Sequence, residues 1–401
     1  MVSPVQSPGP LHYHGFRHAF IARVIAAGGS WMQTVAAGWL IYRLTGSAAA
    51  VAVLTVVSRG PGLALAGVGG ALSQRHDPRR IAIVLALLQV IPAVLLAVIS
   101  WSDADSQFAI YALVLAGGIL TALALAPTTW IASHSVPEKL MRKAIGESSV
   151  AYNLARFVGP LAGGLTIGAF GAAVCFAVNA ATYLVVAWAL WTLPRRSMPR
   201  DDRPVSFRAG VKRALAHPVL GIVVVGVLTF ALLVAPIEQL APAIARRHGE
   251  GAHLLGFLLA GLAAGGILGT VLRTRLERRG VPLDRLIGGS LLATSLGMVG
   301  LAVAPNILVA VAAMLCCGTF WEVVYVESLA AMQTLIPTMS AVLTGVFFTV
   351  TMGGVTIGAL LIGELMDLVG VGIGLAIAGL GTGAYGAWRL VRPSPRTVPA
   401  S

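Results

Sequence analysis

Charge is scarce in this chain, and the few charged side chains that fall inside long apolar runs are the ones placed to do chemistry. Arg59 stands in such a run beside Gly60 and Pro61, which loosen a helix, and Glu322 stands in another with Tyr325 three residues on, on the same helical face. A charge at the centre of a membrane helix costs about 2.5–3.5 kcal/mol on insertion scales, so each needs a partner, a wet cavity or a route to the interface. Arg59 reads as a contact for an anion or carboxylate, or as the buried partner of a glutamate elsewhere. Glu322 reads as an acid that holds an amphipathic cation against aromatics or carries a proton, or as a partner of Arg59 or Arg156. Glu327, five residues along, is turned by about 140° and should face something else. Gln33 is a polar group at similar depth, suited to joining helices or to touching a ligand. Arg23 and Arg156 can reach the interface and take structural roles. Glu238 marks a mouth, and Glu364 with Asp367 an external turn.

Other chemistries find no footing. No nucleophile–base set or metal cluster stands in the polar segments, so an enzyme, a metal site and a cofactor are not expected. His12, His14 and His18 belong to a polar N-terminal tail rather than a metal site. Cys175, Cys316 and Cys317 lie in apolar runs, where they pack as small hydrophobes. The net charge of +13 would point to nucleic acid in a soluble protein. Here its position gives a different reading.

The elements that must carry these residues follow from composition. With 57% hydrophobic and 11% charged residues, the chain cannot cover a soluble domain, and lipid must be its solvent. Continuous apolar runs of about 20 residues satisfy their backbone groups as helices. The runs predict twelve transmembrane helices, at 17–42, 47–72, 81–101, 108–132, 148–170, 172–193, 218–243, 253–273, 283–304, 307–333, 341–364 and 368–391. Basic residues crowd one set of ends, among them Arg75, Arg79, Arg80, Lys139, Arg142, Arg195, Arg278, Arg279, Arg389 and Arg392. Arg43, Arg246 and Arg247 fall on the other set. This bias predicts both termini in the cytoplasm of a cell that carries the protein in its inner (plasma) membrane.

The polar stretch 195–216, rich in Arg and Pro, reads as a cytoplasmic linker between an N-terminal bundle, 1–194, and a C-terminal bundle, 217–401. An internal repeat supports the division. Gly70, Arg79 and Arg80 recur as Gly269, Arg278 and Arg279, and Gly159, Gly163 and Gly168 as Gly354, Gly358 and Gly363, at spacings near half the chain. Two parallel six-helix bundles with a ligand held between them are the expected all-α architecture.

Three stretches carry a resemblance. The end of span 2 reads Gly70-Ala71-Leu72-Ser73-Gln74-Arg75-His76-Asp77-Pro78-Arg79-Arg80, similar to the loop signature of the major facilitator superfamily, with Gln74 where that signature has aspartate. The resemblance implies a conformational latch built from Gly70, Arg75, Asp77, Arg79 and Arg80. Span 5 carries Gly159, Pro160, Gly163 and Gly164, which resembles the element associated with antiporters of that superfamily. The stretch Trp31-Met32-Gln33-Thr34 through Trp39 to Ser47 looks like the opening of its enterobactin-exporter-like, or transmembrane secretion effector, branch. The resemblance implies alternating access and export of a small hydrophobic or amphipathic molecule, a drug or siderophore, in exchange for protons. Import by the same fold and a transport-inactive scaffold or sensor are the alternatives. A monomer is expected.

Overall fold

The computed structural model describes residues 10–102, 106–134, 140–193, 212, 216–249, 251–336 and 339–392. These are helical almost throughout, with no strand among them. Most of the expected linker lies outside the described residues, as do Pro137 and Pro337, a further repeat pair near half the chain length apart.

Among the described residues the main helices are, in order, α1 (His14–Thr45), α2 (Ala48–Arg75), α3 (Pro78–Trp101), α4 (Gln107–His134), α5 (Met141–Phe170), α6 (Ala172–Trp191), α7 (Pro218–Thr229), α8 (Ala252–Arg278), α9 (Leu283–Ala302), α10 (Ile307–Thr334), α11 (Ser340–Val369) and α12 (Val371–Val391). α7 runs on through a π turn, Phe230–Val234, into the short helices Pro236–Gln239 and Ala241–Arg247. Ten spans among the described residues are long and apolar enough to cross a membrane, and α2 and α5 carry the shorter apolar stretches Ala48–Gly62 and Val158–Phe170. The chain is thus a multi-pass helical membrane protein.

Several helices outrun their apolar segments. α5 begins at Met141 rather than at 148, and α8 ends at Arg278 rather than at 273. Polar residues such as Arg and Glu are good helix formers, so hydropathy marks the stretch that lipid requires and not the point where the helix stops. At the other ends the connections are tight: α5 meets α6 at Gly171, φ 85°, and α11 meets α12 at Gly370, φ 87°. Only glycine adopts that backbone without strain.

Packing divides the chain into two compact units. One comprises Met1–Leu40 with Val57–Asp201, the other Ile41–Val56 with Asp202–Ser401. Inside each, helices meet through glycines where a side chain would not fit. In the first unit a methyl on Gly118 of α4 would lie 2.6 Å from the Ser58 carbonyl oxygen of α2, and one on Gly69 of α2 would strike the Leu123 carbonyl of α4. Pro61 removes the backbone donor of its own turn of α2, and Gly118 stands against the Val57 and Ser58 carbonyls there. The second unit repeats the pattern: Gly318 of α10 abuts the Leu262 carbonyl of α8, while Gly261, Gly265 and Gly269 of α8 abut α10.

The span-5 glycines repeat their partners too. A methyl on Gly159 would lie 2.6 Å from Trp31 Cβ, and one on Gly163 would lie 3.2 Å from Met32 Cα, both on α1. Gly354 and Gly358 of α11 meet Ala231 and Leu232 in the π turn after α7 in the same way. The third pair parts company, since a methyl on Gly168 would meet nothing whereas Gly363 lies against the Ala48 carbonyl.

That contact belongs to a cap. The Asp367 carboxylate accepts from the Ser47 hydroxyl at 2.5 Å and from the Ala48 and Ala49 N–H groups at 2.7 and 3.1 Å. Asp367 therefore satisfies the first amides of α2, and the Ser47 hydroxyl takes the Ala50 N–H at 3.0 Å. Both Asp367 and Glu364 are in the last turns of α11, not in a free turn. Replacing Asp367 with alanine is expected to cost about 1 kcal/mol. Faster hydrogen exchange at the Ala48–Ala50 amides, with amides deep in α8 unchanged, is the measurement that checks it.

Candidate functional site

The expected site residues divide by unit. In the first, Gln33 on α1 is half-buried, and its side-chain carbonyl accepts from Asn179 Nδ2 of α6 at 2.7 Å. Asn179 is fully buried and Thr182 donates to it at 3.1 Å, so Gln33 ends a small polar chain between α1 and α6. Arg59 is half-buried on α2, two residues before Pro61. The Arg156 guanidinium of α5 lies 5.8 Å from the Trp31 ring centroid of α1, a cation–π contact in keeping with a structural role.

In the second unit Glu322 sits near the middle of α10, half-buried against α8. A methyl on Gly269 would lie 2.8 Å from Glu322 Cβ, and one on Gly266 would lie 3.9 Å from its Oε2. Its neighbours in sequence are aromatic and engage α7 and α11. Trp321 meets Phe230 edge-on at 4.8 Å, and Tyr325 meets Phe347 at 5.0 Å. Phe347 continues to Phe348 at 5.5 Å. Phe230 and Phe347 are 1% exposed and Trp321 8%, so these rings brace the helices around Glu322, while half-buried Tyr325 is the ring of the two pairs that stays partly accessible.

Glu327 does not turn away to a different neighbour. It is 8% exposed, and it meets Arg273 of α8 at 3.4 Å, so the same helix receives both acids of α10. Backbone contact at the glycines lets α8 cover a wide arc of α10, which helical periodicity alone does not reveal. Arg273 also binds Glu277, and their i, i+4 spacing was the one readable signal of this group.

The α2–α3 turn is held inside the first unit. Asp77 caps α3, accepting the Arg79 N–H at 3.0 Å, with Pro78 at the first helical position. Arg79 reaches the last turn of α6, donating from Nε to the Leu190 carbonyl at 2.9 Å and from Nη2 to the Trp191 carbonyl. Arg80 approaches Asp77 at 3.9 Å and is otherwise exposed, as is Arg75 at the end of α2. Gly70 lies in the last turns of α2. In span 5, Pro160, Gly163 and Gly164 are buried with Gly159.

The second unit ties the equivalent helices with the charge reversed in position. Arg389, near the end of α12, donates to Asp284 in the first turn of α9 at 2.6 Å, with both residues buried. Arg389 is thus no loop charge, although its sequence position places it among the basic ends. Its partner stands far off in sequence, where no local pattern links them.

A cavity of about 610 Å³ opens at the other end of the second unit, lined by Tyr42, Arg246, Arg247 and the start of α12. Arg247 donates to the Ala302 carbonyl there at 2.5 Å. Gln33, Arg59, Glu322 and Tyr325 are absent from its lining.

Comparison with known proteins matches residues 6–395 to a family described as transmembrane secretion effector. The enterobactin exporter EntS of Salmonella typhimurium (strain LT2) is 25% identical over 378 residues, covering 91% of this chain and 89% of the exporter. An uncharacterized MFS-type transporter of Bacillus subtilis, YfiS, is 24% identical over 381 residues, 91% and 90% of the two chains. Among solved structures, the nucleoside transporter NupG superposes with a TM-score of 0.73 at 12% identity, over 94% of this chain and 98% of that one. A bacterial homolog of the human lysosomal transporter Spinster, inward-facing and occupied, gives 0.76 at 16% identity, over 96% and 97%.

Proposed function

This chain belongs to the transmembrane secretion effector family, within the major facilitator superfamily of membrane transporters, and from that premise we propose that it exports a small hydrophobic or amphipathic molecule in exchange for protons. The observation that carries the reading is Glu322 near the middle of α10, flanked by the Trp321–Phe230 and Tyr325–Phe347 ring pairs. Tyr325, the partly accessible ring of these pairs, meets the body of the substrate, and Glu322 takes either its cationic end or the returning proton. Gln33 and Arg59 supply the polar contacts of the first unit. A relative named for export of enterobactin supports the outward direction and a siderophore-like or drug-like substrate.

The basic ends lie in the cytoplasm, with both termini there, and the protein works by alternating access in the cell membrane. The α2–α3 turn serves as the conformational latch. Its Asp77 and Arg79 are committed to α3 and α6, so Arg75 and Arg80 are the exposed charges it offers. The Gly159, Pro160, Gly163 and Gly164 element packs α5 on α1 as one block of the moving bundle.

Reconstitution in vesicles with an imposed pH gradient tests the reading. Enterobactin and the amphipathic cation ethidium are the probes, with probe and proton movement recorded together. Substrate-linked proton flux is expected in the native protein and is expected to vanish in Glu322→Gln. Flux that survives the substitution removes Glu322 from coupling, and probe movement without protons removes antiport.

A further inference from the structure

A second acidic centre lies on the α8–α10 seam, about a turn and a half beyond Glu322 along α10. Glu327 is 8% exposed, deep for a carboxylate, and its Oε1 is 3.4 Å from Arg273 Nη1. The same nitrogen meets Glu277. One guanidinium nitrogen therefore gathers the carboxyl groups of both Glu277 and Glu327. An ionised carboxylate has only acceptors, so two carboxyl groups bond to each other only while one of them holds a proton.

Charge balance leads to the same place. One guanidinium neutralises one carboxylate, and it cannot itself give up a proton. With both acids ionised the group would keep an uncompensated negative charge beside the poorly solvated Glu327, which one bound proton removes. On α8 itself, Arg275 and Arg278 are exposed at the end of the helix, where water and salt screen them. Of the helices packed on α10, α9 brings Asp284, already joined to Arg389, and an exposed Arg285. α11 brings Glu364 and Asp367 at its far end, and Pro218–Thr229 of α7 brings none. Among the described residues, the ion pair that reaches Glu327 is with Arg273, which also holds Glu277.

The arrangement also spans a boundary. Arg273 and Glu277 lie in the last two turns of α8, next to Arg275 and Arg278 at the basic end. The Glu277 side chain is 43% exposed and that of Glu327 10%, so one acid faces water while the other faces the interior. Glu322 lies further inward on the same seam.

We propose that Glu277, Arg273 and Glu327 form a proton relay at the basic end of the α8–α10 seam, one proton shared between two carboxylates around a fixed guanidinium. In the transfer step the O–H bond on Glu277 breaks as an O–H bond forms on Glu327. Arg273 stays protonated and pairs with whichever carboxylate is ionised, so the group remains neutral throughout. The part played in coupling rests on the antiport reading above, whereas the shared proton does not.

Infrared difference spectra of the purified full-length protein near neutral pH, in water and in heavy water, test it without any substrate. The native protein should show the carbonyl stretch of a protonated carboxyl group, shifted in heavy water. Glu327→Gln and Glu277→Gln should each lose that band, because the remaining carboxylate then pairs with Arg273 and ionises. Glu327→Asp should restore it, and Glu322→Gln should keep it. A band that persists in both glutamine variants, or that is missing from the native protein, overturns the proposal. If Glu327→Gln does not fold, Glu277→Gln at its half-exposed position decides. Loss of probe transport in vesicles with the spectral result intact would count against antiport alone.

Discussion

Gly318→Ala is expected to destabilise the protein by about 3 kcal/mol, near the upper end of what overpacking usually costs. The added methyl would run into the Leu262 carbonyl of α8. Both partners in that clash are main chain, so no rotamer change relieves it and the two helices must part. They are also in contact at Gly261, Gly265 and Gly269, where methyl groups would meet the carbonyls of Val311, Leu315 and Thr319. Parting them at one point therefore loosens the whole seam. Thermal unfolding of the purified protein, followed by fluorescence, reads the effect. Gly345→Ala serves as the control, because a methyl there meets nothing within 4 Å. An unchanged midpoint in Gly318→Ala would contradict the close approach.

Removing either partner of the Asp284–Arg389 pair should be costlier still. The two are 5% and 3% exposed and lie 2.6 Å apart, joining α9 to α12. Leaving one charge buried alone costs about 3–5 kcal/mol, whereas replacing both with apolar groups of similar volume is often close to neutral. Asp284→Leu and Arg389→Met singly are therefore expected to lose most of their folded protein at 37 °C. The double variant should regain a midpoint near the native one, helped by release of the buried Arg389 Nε, which has no hydrogen-bond partner among the described residues. Strictly additive losses in the double-mutant cycle would show that the pair is not coupled.

The features that were legible in the sequence are those that lipid imposes. A bilayer demands runs of apolar helix and leaves small residues as the means of close packing. The spans and the recurring glycines of α5 and α11 could therefore be read directly. The partners of those glycines could not. Gly159 and Gly354 look alike in sequence, yet that each meets the first helix of its own half is a tertiary fact. The acids show the limit most clearly. Glu322 is conspicuous in sequence because it stands mid-span beside aromatics, while helical phase points Glu327 elsewhere, since phase describes one helix and not the width of its neighbour. Asp367 looked like a turn residue and is a cap for a helix far away in sequence, and Arg389 looked like a topological charge and is half of a buried pair. Each of these depends on what a distant segment brings, and one sequence does not contain that information.

The π turn at Phe230–Val234 remains, with the Ala235 N–H bonded back to the Phe230 carbonyl five residues earlier. Such a turn holds one residue more than its neighbours, a length of slack wound into the rod. Drawing that slack out would swivel everything beyond it by about 100° about the rod's own axis. Glu238 would sweep round with it while the stretch before Phe230 stayed still. A single span can in this way re-aim one end without any other having to slide.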